Sequence, residues 1–194
     1  MATEASNAGT ERGPDEPSDE TLALRSRQGD AAAFEALARR YQGRLYGYAV
    51  RMIGDAHEAE DLAQETLLRL HRSLGRFDPA QPLAPWLFGI AAHVCRDWLR
   101  WRARRREMPS EAPEGIAPGA SPAEQAAGAE QRERLARAVR RLPRKYREVI
   151  VLHYTNEMSY EQVAAALGIR PDAARRRALR ARQMLLQYLG GQQP

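Results

Sequence analysis

Residues 107–129, EMPSEAPEGIAPGASPAEQAAGA, constrain the fold of this chain more than any other segment. Their Pro, Ala, Gly and Glu content is that of a linker. A chain of 194 residues is long enough for one or two cores, and this segment divides it into two. The expected organisation is an acidic, disordered extension over 1–19, a first domain over 20–106, a flexible acidic linker over 107–130 and a second domain over 131–190. The extension lacks apolar periodicity.

Both domains read as helical, so the fold class is all-α. Asp30 can cap a helix whose apolar positions are Phe34, Leu37, Tyr41, Leu45, Tyr48 and Ala49, and Gly54-Asp55 breaks it. A second helix spans about 56–74. A loop rich in Gly, Asp and Pro follows from Gly75 to Pro82. Pro85 suits the first turn of a third helix, which carries Trp86, Leu87, Ile90, Ala91, Val94, Trp98 and Leu99 and runs into Arg100–Arg106. In the second domain, helices are expected over about 130–141, from Pro143, from Ser159 to Gly168, and from Pro171 to Gly190.

The net charge of +5 conceals alternating blocks. Residues 1–19 carry net −4, 20–106 net +5, 107–131 net −5 and 132–194 net +9. Of 30 basic residues only Lys145 is lysine, and arginine is the better bidentate partner for phosphate and guanine. The two arginine-rich helices therefore point to nucleic acid.

Tyr160 to Leu179 has the spacing of a helix-turn-helix. Ser159 and Gln162 form a capping-box pair, Ala164 is small where two helices must approach, Gly168 makes the turn and Pro171 starts the second helix. At 100° per residue, Ala174, Ala178, Ala181 and Leu185 form the packing stripe of that helix. Asp172, Arg176, Leu179 and Gln183 lie opposite, flanked by Arg175 and Arg180. Five arginines between 175 and 182 repel one another unless an anion relieves them.

The helix over 56–74 has an apolar stripe of Ala59, Leu62, Ala63, Thr66, Leu67, Leu70 and Leu74. Its other face carries Glu58, Asp61, Gln64, Glu65, Arg69 and Arg72, with Leu68 projecting among them. Burial within its own domain does not explain Leu68. A solvated face with one stray leucine and a docking surface for a protein partner both fit these residues.

These residues carry a family resemblance. Gly54-Asp55 followed by Ala59-Glu60-Asp61-Leu62-x-Gln64-Glu65, Trp86-Leu87-x-x-Ile90-Ala91 with Asp97-x-Leu99-Arg100, Leu142-Pro143-x-x-x-Arg147, Ser159-Tyr160-Glu161-x-Val163-Ala164 with Leu167-Gly168-Ile169, and Arg180-Ala181-Arg182 resemble, in order, the motifs of bacterial sigma-70 family sigma factors of the extracytoplasmic-function (ECF) class. The resemblance covers about residues 20–189. It implies a region 2-like helical bundle and a region 4-like helix-turn-helix. Such a protein binds core RNA polymerase, through the beta-prime clamp coiled coil and the beta flap, and directs promoter-specific initiation at minus-10 and minus-35 elements.

By match to the motifs, Asp61, Gln64, Glu65 and Leu68 would contact the polymerase. His93, Arg96, Arg100, Arg102 and Arg104 would serve the minus-10 DNA, with the loop 75–84 beside an extruded base. Arg170, Asp172, Arg175, Arg176 and Arg180 would serve the minus-35 DNA. The family's asparagine is here His93, its usual G-T-V-K-S is Asp172-Ala173-Ala174-Arg175-Arg176, and its serine cap is Arg170, so promoter sequence does not carry over.

The resemblance also implies an anti-sigma partner, which no residue here carries. It implies a cytoplasmic location, with nucleoid association in the holoenzyme or retention at the membrane by the anti-sigma factor. No apolar run approaches the roughly 20 residues of a membrane span. His93 and Cys95 are two residues apart with no further ligand nearby, so neither metal nor cofactor is expected, and no catalytic motif is present. On the residues alone, a stand-alone helix-turn-helix regulator and a protein-binding adaptor remain the other readings. The first would need a dimer interface, and the basic final helix argues against the second.

Overall fold

In the computed structural model the described residues are 16–106 and 124–190, with side chains described to Arg105 and from Glu130. Most of the expected disordered extension and flexible linker lies outside them. Among the described residues there is no strand, and no helix is long and apolar enough to cross a membrane. The all-α expectation holds.

The first helix, α1 (Asp19–Arg27), was not anticipated from the sequence. Ser18 caps it by accepting a hydrogen bond from the Thr21 amide at 3.1 Å. Asp19 is buried and accepts from Tyr41 Oη at 2.6 Å and from Arg40 at 2.8 Å. Arg40 also donates to the Pro17 carbonyl and pairs with Glu16, so residues 16–19 are tied to the domain.

Helix α2 (Ala31–Ile53) starts at Asp30, whose carboxylate accepts from the Ala33 amide, and stops at Gly54, which adopts the left-handed conformation at φ 79°. Asp55 accepts from the His57 and Glu58 amides to start α3 (Ala56–Ser73). A 3-10 turn over Leu74–Arg76 leads into the loop. Helix α4 (Leu83–Arg106) begins where the Leu83 amide donates to Glu20 of α1. Tyr41, Tyr48, Phe88, Leu37, Leu45, Met52 and Leu70 fill the core between these helices.

In the second domain, α5 (Glu124–Arg141) begins about six residues earlier than expected. Helix α6 (Arg144–Ile150) follows Pro143 and continues into a π-helical turn over Val151–Thr155. The capping box at α7 (Tyr160–Leu167) forms as expected: Ser159 accepts from the Gln162 amide and Gln162 accepts from the Ser159 amide. Gly168, at φ 64°, makes the turn to α8 (Pro171–Gly190).

The two domains share one apolar core. Phe88 and Ala92 of α4 belong to the same buried cluster as Val149, Leu152 and Val163. A smaller cluster of Leu142, Ile150 and Ala181 packs with Tyr146, Leu185 and Tyr188 within the second domain.

Candidate nucleic-acid and docking interfaces

The helix-turn-helix is built on alanines. Ala174, Ala178 and Ala181 are fully buried, and their small side chains let α8 lie close against α6 and α7. That packing turns Arg175, Arg176, Leu179, Arg180 and Gln183 outward, as the helical geometry predicts. Arg175 is held by Glu161 of α7 and by Asp172 at 3.1 Å, so Asp172 acts here as a partner for an arginine. Arg170 is exposed, and its carbonyl accepts from the Ala173 and Ala174 amides at the helix start. Arg176 and Arg180 line an open basic concavity with Lys145, Tyr146 and Arg177. Lys145 and Arg177 were missed from the sequence. Their signal is the i, i+3, i+4 run 173–176–177–180 on α8, opposite the residue two after Pro143.

In the first domain α3 buries Ala59, Leu62, Ala63, Thr66 and Leu70. Asp61 and Gln64 are exposed and Glu65 is half-exposed. Leu68 stands among them with 51% of its surface open. Glu65 accepts from Arg69 at 2.7 Å, and Arg69 reaches on to Asp97 of α4 at 3.5 Å. The acidic face is thereby fixed relative to α4.

The five residues expected along α4 do not share one environment. His93 and Arg104 are exposed. Arg100 pairs with Asp97 at 3.0 Å. Arg102 lies on another side, over the Trp98 ring and 3.7 Å from Asp55. Arg96 turns inward, donating to the Ala92 carbonyl and standing 3.4 Å from Glu148 of α6. Trp98 is a core residue whose indole N–H donates to Glu58 at 2.7 Å, whereas Trp101 is exposed beneath Arg105.

His93 also lines an open concavity between α3 and α4 with Arg69, Arg72, Ser73, Arg76 and Ile90. Burial, and then the charge of Arg96, holds the His93 imidazole below its ordinary value, with Asp97 opposing. It is therefore mainly neutral at pH 7, a single donor and acceptor beside three guanidinium groups that suit phosphate. The contribution of Arg69, Arg72 and Arg76 was not read from the sequence, although their spacing of three and four residues was there to be found. Among the described residues no His, Cys, Asp and Glu cluster could hold a metal ion. Burial pushes the Cys95 thiol up to about 12, which makes it an unreactive core residue.

Two outward basic faces, one of them the second helix of a helix-turn-helix, are the features of a DNA-binding protein. The model for sigma-70 region 2 matches residues 37–106, and that for sigma-70 region 4 matches residues 132–185. The RNA polymerase sigma factor CarQ of Myxococcus xanthus is 38% identical over 166 residues, 86% of this chain and 94% of that protein. The ECF RNA polymerase sigma factor SigW of Bacillus subtilis is 30% identical over 172 residues, 84% of this chain and 92% of that protein. A solved structure of CnrH in complex with the cytosolic domain of CnrY superposes with a TM-score of 0.69 at 30% identity, covering 90% of this chain and 99% of that one. A second, of the sigma factor RpoE with the anti-sigma factor NepR from Bartonella quintana, shares the fold with a TM-score of 0.65 at 24% identity, covering 82% and 98%. The chain belongs to the sigma-70 family, in its ECF class. It is a promoter-specificity factor that works with core RNA polymerase.

Proposed function

We propose that residues 20–106 dock on core polymerase and open the minus-10 element, that residues 131–190 bind the minus-35 element, and that residues 107–130 run between them. The observation that carries this reading is the exposed face of α3, where Asp61, Gln64, Glu65 and the half-open Leu68 stand together while the apolar stripe of the same helix is buried. A charged rim around one apolar side chain is the anatomy of a protein interface. The factor contributes specificity, and the polymerase supplies the catalysis.

The test is a direct titration with core polymerase. Asp61→Ala combined with Glu65→Ala is expected to weaken binding on the order of tenfold, chiefly through slower association. Unchanged affinity of the double variant would refute the docking face.

On DNA, His93, Arg100 and Arg104 with the Arg69–Arg72–Arg76 cradle suit the minus-10 region. Arg170, Arg175, Arg176 and Arg180, joined by Lys145 and Arg177, suit the minus-35 duplex. Arg176→Ala is expected to weaken protection of the minus-35 element by about 1–3 kcal/mol in a holoenzyme footprint, with an unchanged thermal midpoint. An identical footprint would remove Arg176 from base readout.

Regulation by an anti-sigma factor fits a family in which RpoE has been solved with the anti-sigma factor NepR. A factor that acts on polymerase and promoter works in the cytoplasm, on the nucleoid when in holoenzyme and at the membrane when an anti-sigma factor holds it there.

A further inference from the structure

The concavity between α3 and α4 carries more positive charge than the fold around it neutralises. Arg69, Arg72, Ser73 and Arg76 reach it from one face of α3 and the turn that follows, at spacings of three and four residues. Ile90 and His93 reach it from α4, one turn apart. No carboxylate lines it. The acids at its rim are already engaged: Arg69 is held by Glu65 at 2.7 Å and by Asp97 at 3.5 Å, and Asp97 also pairs with Arg100 at 3.0 Å. Arg72 and Arg76 are exposed and pair with no carboxylate among the described residues.

His93 is the titratable group in this setting. It is faced by Arg69 and Arg72 of α3, by Arg76 of the turn, and by Arg96, Asp97 and Arg100 of its own helix. Glu148 of α6 stands behind Arg96 at 3.4 Å. Burial and then the Arg96 charge hold the imidazole below its ordinary value, against the pull of Asp97. The protein alone therefore presents a neutral ring at pH 7.

A phosphodiester reverses that balance. Its negative charge, set among Arg69, Arg72 and Arg76, offsets the cations that oppose protonation. Its oxygens also accept from the second N–H that only the imidazolium has. A base edge supplies no net charge and leaves the arginines unbalanced, so the backbone is the better fit. With the bound value above the free one, protonation strengthens binding at low pH, and the gain is lost as pH rises through the bound value.

Resting on the sigma-factor reading of residues 20–106, we infer that His93 is a proton-coupled phosphate ligand: with Arg72 and Arg76 it grips a backbone phosphate of the unpaired minus-10 strand, and engaging that strand takes up one proton. The asparagine that the family carries at this position cannot take up a proton, so the coupling belongs to this chain. Promoter opening by this factor then rises as pH falls.

The experiment uses holoenzyme assembled from the full chain and core polymerase, with a fork DNA whose minus-10 segment is single-stranded. Affinity is read by fluorescence anisotropy at constant ionic strength. From pH 6 to pH 8 the wild-type affinity is expected to fall about threefold or more. His93→Asn should lose this slope and stay near the wild-type value at pH 8. His93→Arg, charged at every pH, should lose the slope and stay near the wild-type value at pH 6. The ratio of wild type to His93→Asn cancels the titration of every other group. His93 is exposed, and circular dichroism establishes that both variants are folded.

A methylphosphonate moved along the unpaired strand removes one backbone charge at a time. At one linkage it should flatten the wild-type slope. A wild-type to His93→Asn ratio that is constant across pH overturns the proton coupling, and a slope that survives neutralisation of every linkage overturns the phosphate. A holoenzyme that gains nothing from the single-stranded segment at any pH would refute the minus-10 reading of residues 20–106, and the inference with it.

Discussion

Leu68→Asp is expected to reduce affinity for core polymerase by about 30-fold or more while leaving the fold intact. The side chain is 51% exposed on α3, and the stripe that holds this helix in its bundle, Ala59, Leu62, Ala63, Thr66 and Leu70, lies on the opposite side. An exposed leucine contributes little to the monomer, so the thermal midpoint should move by no more than about 0.5 kcal/mol equivalent. At an interface the same side chain is the apolar centre of a charged rim, and truncating such a centre costs about 2 kcal/mol or more. Aspartate adds a desolvated charge beside Asp61 and Glu65. A titration giving the wild-type dissociation constant would return Leu68 to the class of stray surface leucines.

Phe88→Ala is expected to lower stability by about 3–5 kcal/mol, and the thermal midpoint by about 6–20 °C for a chain of this size. Phe88 is fully buried, with Tyr48 at 5.7 Å and Tyr41 at 6.4 Å meeting it edge-on and the Arg44 guanidinium over its ring. The cavity left by alanine would be lined by two tyrosines and would open toward the second domain, whose Val149 and Val163 share the cluster. Calorimetry showing a loss below about 1 kcal/mol would mean that the site collapses freely, which the rigid tyrosine pair argues against.

Several elements were legible because their signals are local. Asp30, Gly54, Asp55, Ser159 and Gly168 mark helix ends through bonds made within a few residues, and each does so in the structure. The outward set of α8 follows from 100° spacing once Ala174 and Ala178 are taken as buried. Helix α1 was not legible for the opposite reason. It has nine residues and little amphipathic contrast, and it is fixed from a distance by Arg40 and Tyr41 reaching Asp19. The start of α5 was misjudged because Glu124–Ala129 shares the linker's Ala, Gly and Glu composition, while its backbone is helical.

Helix α4 separates the two kinds of information most clearly. Its sequence shows the stripe Leu87, Ala91, Val94 and Trp98, all buried in the structure. A second stripe, Phe88, Ala92 and Cys95, is equally buried because neighbouring elements cover α4 on more than one side. That stripe could have been found by counting, but nothing local distinguishes burial by its own domain from burial by another. Arg96 shows the consequence: an arginine in a basic helix reads as a DNA contact until Glu148, 52 residues later in the chain, is brought beside it.

By itself, then, the sequence determined the two-domain division, the helical class and the helix-turn-helix, because composition, caps and periodicity are short-range properties, and its ordered motifs carried the resemblance to the family. The tertiary structure decided that Arg96 and Arg102 leave the common outward face of α4, that Arg69, Arg72 and Arg76 form one cradle with His93, and that the two domains close on each other through Gly89. Those outcomes depend on contacts between residues tens of positions apart, whose geometry no local pattern encodes.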